Sequence, residues 1–229
     1  MRAILTIIAF LLFTTPSWGE DFFKGVEAYE NGDYATALKE WTPLAEQGDP
    51  LIQNIIGAMY YEGQGVPQDY KTAVKWYTLA AEQGNAKGQF NLALMYDNGE
   101  GVLQDYQTAA KWYTLAAEQG VAEAQYNLAL MYHNGQGVLQ DYQTAERWYA
   151  LAAEQGHADA QNNLGIFLAL GEGALQDYIY AHMWLNIANS NGADAAKARE
   201  IVEGLMTPVQ IEKAQALARE CVKKEYKDC

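Results

Sequence analysis

Between residues 122 and 134, apolar side chains fall at Ala124, Leu128, Met131 and Tyr132. That three-and-four spacing predicts a helix with one buried stripe. Gly135 and Gly137 interrupt it, and Gly-x-Gly lets the chain take positive φ and turn sharply. Asp141 then stands where an N-cap is needed, its carboxylate suited to accept from orphan backbone N–H groups and to complement the dipole. The next stretch is expected to bury Tyr142, Ala145, Trp148, Leu151 and Ala152 in a second helix, which Gly156 ends. One unit is therefore helix A, a glycine-rich turn, helix B and a one-glycine turn.

The pattern recurs every 36 residues. Gln-Asp-Tyr begins at Gln68, Gln104, Gln140 and Gln176, and the same step separates Trp76, Trp112, Trp148 and Trp184, and Gly84, Gly120, Gly156 and Gly192. Residues 85–120 and 121–156 are identical at most positions. Self-similarity at a fixed period of this size predicts stacked supersecondary units. The expected fold is all-α, a right-handed α-solenoid of antiparallel helix pairs. Its repeats span residues 49–84, 85–120, 121–156 and 157–192. Small residues stand where helices must approach closely: Gly57, Ala93, Ala129 and Gly165 in helix A, and Ala73, Ala109, Ala145 and Ala181 in helix B. The repeated tryptophans are expected to fill the space these leave.

The ends depart from the period, as caps do. Residues 20–48 form a shortened first unit, with Asn31-Gly32-Asp33-Tyr34 as a tight turn. Residues 193–229 form the C-terminal cap: a last helix A over 193–206, then Thr207-Pro208 as an N-cap with proline at the first helical position. The final helix runs to about Lys223, giving about twelve helices. Residues 1–19 read as a cleaved signal peptide, with Arg2, an apolar run from Ala3 to Phe13, and Ser17-Trp18-Gly19 before the cleavage point. The apolar run is short for a bilayer span, and no later stretch qualifies. A periplasmic or secreted chain is expected, with a retained N-terminal anchor as the alternative.

The net charge is −14, one unit more negative once Arg2 is removed. So acidic a chain is repelled by nucleic acid and by anionic membranes, which argues against both as partners. Cys221 and Cys229 are the only cysteines, and an oxidising compartment favours their pairing. On one continuous helix they would be ~12 Å apart, beyond the ~7 Å limit for a disulfide. Pairing requires the last helix to end near Lys223 and the tail to fold back; two free thiols are the alternative.

These residues resemble the Sel-one-like repeat family, relatives of the tetratricopeptide repeat. The family pattern is met by Gln125, Leu128, Ala129, Tyr132, Gly135, Gly137, Val138, Asp141, Ala145, Trp148, Tyr149, Ala152, Ala153 and Gly156. It covers about residues 49–192, departing at Leu168 and Ala174 in the fourth unit, while the first unit is closer to a tetratricopeptide repeat. The resemblance implies a scaffold or adaptor, with helix A lining a concave face. Its outward positions would then hold a protein or peptide partner in the cell envelope: Phe90, Asn91, Leu94 and Asp97, then Tyr126, Asn127, Leu130 and His133, then Asn162 and Asn163. The asparagines are suited to pair with an extended backbone, or else with neighbouring elements of this chain, and Phe90 and Tyr126 are suited as anchors.

Catalysis is not expected. Ser190 is the only serine after the signal segment, and His133, His157 and His182 are scattered at positions the other repeats fill differently. Metal-binding, phosphate-binding and dinucleotide motifs are absent, so no metal or cofactor is expected. Some cysteine-rich members of the family are linked to penicillin binding or hydrolysis, but this chain lacks their per-repeat cysteine pairs. A cell-wall-fragment or small-molecule binder, and more distantly a β-lactam hydrolase, are the alternatives.

Overall fold

The computed structural model describes residues 16–173 and 175–229, with side chains from Gly19 onward. Most of the expected signal segment, and Ala174, lie outside these residues. The described residues hold twelve α-helices and no strand, in two compact units. The first, through Gln104, contains α1 (Pro16–Glu30), α2 (Tyr34–Glu46), α3 (Pro50–Glu62), α4 (Tyr70–Glu82) and α5 (Ala86–Asn98). The second, from Asp105, contains α6 (Tyr106–Glu118), α7 (Ala122–Asn134), α8 (Tyr142–Ala153), α9 (Ala158–Leu170), α10 (Tyr178–Ser190), α11 (Ala196–Glu203) and α12 (Pro208–Lys223). The all-α class and the helix-pair repeat expected from the sequence are what the chain adopts.

The local chemistry of one repeat explains its boundaries. Gly135 ends α7 at φ 69° and donates its N–H to the Met131 carbonyl. Gly137, at φ 68°, rests on the start of α6: a Cβ there would lie 2.2 Å from the Tyr106 carbonyl oxygen. Only glycine satisfies both the conformation and the contact. Asp141 then caps α8, its Oδ1 accepting from Gln143 N at 3.0 Å and Thr144 N at 3.2 Å, while Thr144 Oγ1 donates to Oδ2 at 2.7 Å. Asp69 and Asp105 repeat this arrangement with Thr72 and Thr108.

The buried stripe of helix B differs from the expected one. In α8 it is Ala145, Tyr149, Ala152 and Ala153, whereas Tyr142 and Leu151 are exposed and Trp148 is half-buried. The cause is angular. Residues three apart lie 300° apart on a helix, so Tyr142, Ala145, Trp148 and Leu151 drift through half a turn. The observed set follows i, i+4, i+7, i+8 and stays on one face. Tyr77 and Tyr113 are buried in the same register, and Leu185 takes the place in α10. At Gly57 and Gly165 these side chains occupy the space the glycine leaves; of the repeated tryptophans Trp184 is buried in the core as expected, while Trp76, Trp112 and Trp148 are half-buried. A Cβ at Gly57 would lie 2.6 Å from the Tyr77 ring, and one at Gly165 would lie 2.7 Å from Leu185 Cγ.

The last elements close the second unit. Helix α11 is shorter than the expected 193–206 and is pinned by its end: Glu203 Oε1 lies 2.7 Å from Nε2 of the buried His182 and 3.6 Å from Arg199 Nε. Thr207 and Gln210 form a reciprocal capping box at the start of α12, with Pro208 at its first position. Cys221 and Cys229 are bonded at a Cα separation of 5.4 Å, which excludes the free-thiol alternative. The helix stops at Lys223 and the tail returns, as pairing requires.

Candidate interaction surface

The outward residues of helix A fall in both units, and each set is described within its own unit. All ten are half-buried, and several are already engaged with neighbours. In the first unit, Asn91 Nδ2 donates to Asn54 Oδ1 at 2.8 Å, one repeat back. Lys87 Nζ stands 5.9 Å from the centre of the Phe90 ring, a cation–π contact. Asp97 gives its carbonyl to Gln104 Nε2 at 2.6 Å, holding the following turn. Leu94 is half-buried on the same helix.

The second unit assembles the denser cluster. Tyr126 stacks on His157 with ring centres 4.6 Å apart and lies 6.0 Å from the Tyr149 ring. Asn127 Nδ2 donates to the Tyr113 hydroxyl at 3.2 Å, and Asn162 Nδ2 to Asn163 Oδ1 at 3.4 Å. His133 packs edge-on to Phe167 at 4.9 Å and beside Tyr142 at 5.7 Å. Leu130 rests on the core that contains Tyr149 and Phe167. The asparagines therefore have different partners from repeat to repeat and do not form one open row. Two buried polar atoms stay unpaired here: Tyr149 Oη and Asn162 Oδ1. Burial pushes the Tyr149 hydroxyl up, and the nearby Asn163 amide draws it partly back. Burial also raises the Tyr126 hydroxyl, helped by Asp159.

A second periodic set escaped the sequence reading. Gln53, Gln89, Gln125 and Gln161 are buried on helix A, and each Nε2 donates to a helix B carbonyl eight residues earlier, at 2.9, 3.2, 3.1 and 3.0 Å. Their 36-residue spacing is visible in the sequence, but a polar residue beside an apolar stripe reads as surface until its carbonyl partner is known. Among the described residues no group of His, Cys, Asp and Glu is placed to hold a metal ion. No helix among them is long and apolar enough to cross a membrane.

The Sel1 repeat pattern matches residues 53–85, 86–121, 122–157 and 158–192. A protective antigen of uropathogenic Escherichia coli strains, displaying an SLR fold, is 32% identical over 92% of this chain, with a TM-score of 0.79. This chain spans 47% of that protein's length. A Sel1 repeat protein from Oxalobacter formigenes is likewise 32% identical, over 90% of this chain and 77% of its own, with a TM-score of 0.71. No curated protein gives a significant match. Repeat pattern and helix-pair geometry lead to one conclusion: the chain belongs to the Sel1 repeat family.

Proposed function

We propose that this protein is an exported, non-catalytic scaffold that holds a protein or peptide of the cell envelope against the outward residues of helix A. Sel1 repeat proteins generally act as protein-interaction scaffolds, and the family is typically non-catalytic. The observation that carries the reading is the cluster of Tyr126, Asn127, Asn162 and Asn163. It is half-buried and rich in amides and aromatic rings, with Asn162 Oδ1 and Tyr149 Oη left unpaired in its floor. Asparagine side chains both donate and accept, which suits them to an extended backbone, and the Tyr126 ring offers an apolar anchor beside them. Export is supported by the Cys221–Cys229 bond, since disulfides persist in oxidising compartments, and by the apolar run at residues 3–13.

The test is a cross-linked pull-down from the native envelope fraction with wild type and the double variant N127A/N163A. The variant should keep its circular dichroism and a cooperative melt, lowered by the few degrees that unpairing the Tyr113 hydroxyl costs, while losing the protein that wild type retains. Equal retention by both refutes the helix A surface.

A further inference from the structure

Leu103, Leu139 and Leu175 occupy one place in successive glycine-rich turns, and they are 91%, 91% and 92% exposed. A single exposed leucine needs no explanation. Three at one register position of a rigid turn do. Gln140 Nε2 donates to the His133 carbonyl at 2.7 Å and Asp141 N to the Tyr132 carbonyl at 3.0 Å, which pins the backbone on both sides of Leu139. In the next turn Gln176 Nε2 donates to Ala169 at 2.8 Å and Asp177 N to Leu168 at 2.9 Å. Gly173 rests directly on the Tyr142 carbonyl, so the two turns of the second unit form adjoining ledges. An open depression of about 620 Å³ lies between them, with Gln140, Tyr142, Gly171 and Leu175 in its walls.

Within the turn sequences themselves the charge has one sign, although Arg147 bears on the carboxylate of Asp141 and Lys111 on that of Asp105. No Lys or Arg occurs in residues 133–142 or 169–178, while Asp141, Glu172 and Asp177 do. Residues 97–106, around Leu103 in the first unit, likewise carry Asp97, Glu100 and Asp105 and no basic residue. We propose that the turn edge of the second unit docks a basic amphipathic segment of a partner protein, its apolar side chains on Leu139 and Leu175 and its Lys or Arg residues against Asp141, Glu172 and Asp177. A second copy of this chain would bring like charges together, which disfavours self-docking. Because the turns are pinned before binding, little ordering entropy is lost on contact. The surface adjoins the helix A cluster at His133, which packs beside Tyr142, but does not depend on its asparagines.

The probe is a labelled synthetic amphipathic peptide of leucine and lysine, titrated into the full chain by fluorescence anisotropy, beside its leucine–glutamate counterpart. Wild type should bind the lysine peptide and not the glutamate one. The variant L139S/L175S should bind roughly tenfold or more weakly, the loss expected for two exposed apolar contacts, with an unchanged melting temperature. Equal binding by wild type and this variant, or no binding at all, overturns the proposal. So do leucine-dependent self-association on sedimentation, which would assign the edge to a second copy, and leucine-dependent flotation with phosphatidylcholine–phosphatidylglycerol vesicles, which would assign it to a membrane. The variant N127A/N163A should keep the peptide. Loss of the peptide there, with retention in L139S/L175S, moves binding to helix A and leaves the scaffold reading standing.

Discussion

Asn191 Nδ2 donates to Gln161 Oε1 at 2.9 Å, and this bond completes a clamp whose other end is Gln161 Nε2 on the Ala153 carbonyl at 3.0 Å. The same two-sided use of a buried glutamine joins Gln53 to Gln83 and Ala45, and Gln125 to Gln155 and Ala117. Each clamp ties a helix A to the helix B before it and to the end of the helix B after it. Replacing Gln125 by Leu leaves the Ala117 carbonyl and the Gln155 amide without these partners, at a cost of about 2–3 kcal/mol. Urea unfolding should show a lower midpoint at unchanged slope; an unmoved midpoint would mean the clamp adds nothing.

Tyr149 is fully buried against Phe167, with ring centres 5.3 Å apart, while its neighbour Trp148 is only half-buried. Tyr149→Ala should therefore cost about 3–5 kcal/mol, and Trp148→Ala clearly less. Tyr149→Phe removes a buried hydroxyl that only the Asn163 amide approaches, and should change stability by less than about 1 kcal/mol. Thermal melts of the three variants rank them, and a reversed order for Tyr149→Ala and Trp148→Ala would restore the tryptophans as the core.

The two tyrosine and glutamine ladders mark the limit of what the sequence made legible. Helix number, the turns and the aspartate caps follow from residues with one strong local role, such as Gly135 and Asp141. Which of Trp148 and Tyr149 turns inward depends on a rotation of 100° about the helix, and both are large aromatics, so composition does not decide it. The i, i+4, i+7, i+8 series through Ala145 and Ala153 does. Gln125 is polar and looks like surface until the carbonyl of Ala117 is in place to satisfy it. For Asn91 and Asn127 the sequence left pairing within the chain as one of two readings, and which partner each takes was not legible: Asn127 bonds Tyr113 and Asn91 bonds Asn54, contacts set by how neighbouring helices approach.

Gly137 and Gly120 both have positive φ, 68° and 87°, but a side chain at Gly137 would strike the Tyr106 carbonyl, whereas Gly120 faces open space. Gly120→Ala should cost about 1–2 kcal/mol, the price of left-handed backbone alone. Gly137→Ala adds a contact no rotamer relieves and should unfold the second unit at a markedly lower temperature. Equal melting temperatures for the two variants would show that the turn moves freely away from α6.

Asp105 and Asp141 are held below the usual carboxylate range, first by the hydroxyls of Thr108 and Thr144 and then by backbone N–H groups. A depressed folded pKa gives stability that is fully present above the unfolded value and lost as pH falls through the folded one. The acid limb of the melting curve should thus fall below the ordinary aspartate range. In D105N/D141N, asparagine still caps but does not titrate, so that limb should flatten. An unchanged acid limb in the double variant would place the titrating groups elsewhere.

The tail after α12 reverses through Glu225, Tyr226 and Asp228, at φ 53°, 67° and 52°, a conformation such residues seldom hold unaided. The Cys221–Cys229 bond closes that loop and sets Tyr226 over Gly156, with its hydroxyl donating to Asn191 Oδ1 at 3.2 Å. Asn191 is also the outer end of the Gln161 clamp, so the tail and the clamp share one residue. Cys229→Ser should destabilise by roughly 2.5 kcal/mol on the chain-entropy model. It should also raise amide exchange at Gly156 and Asn191. Wild type with reductant should match the variant in both respects. If reduction lowers the melting temperature but leaves exchange at Gly156 unchanged, Tyr226 stays docked without the bond, and the disulfide acts on the unfolded chain alone.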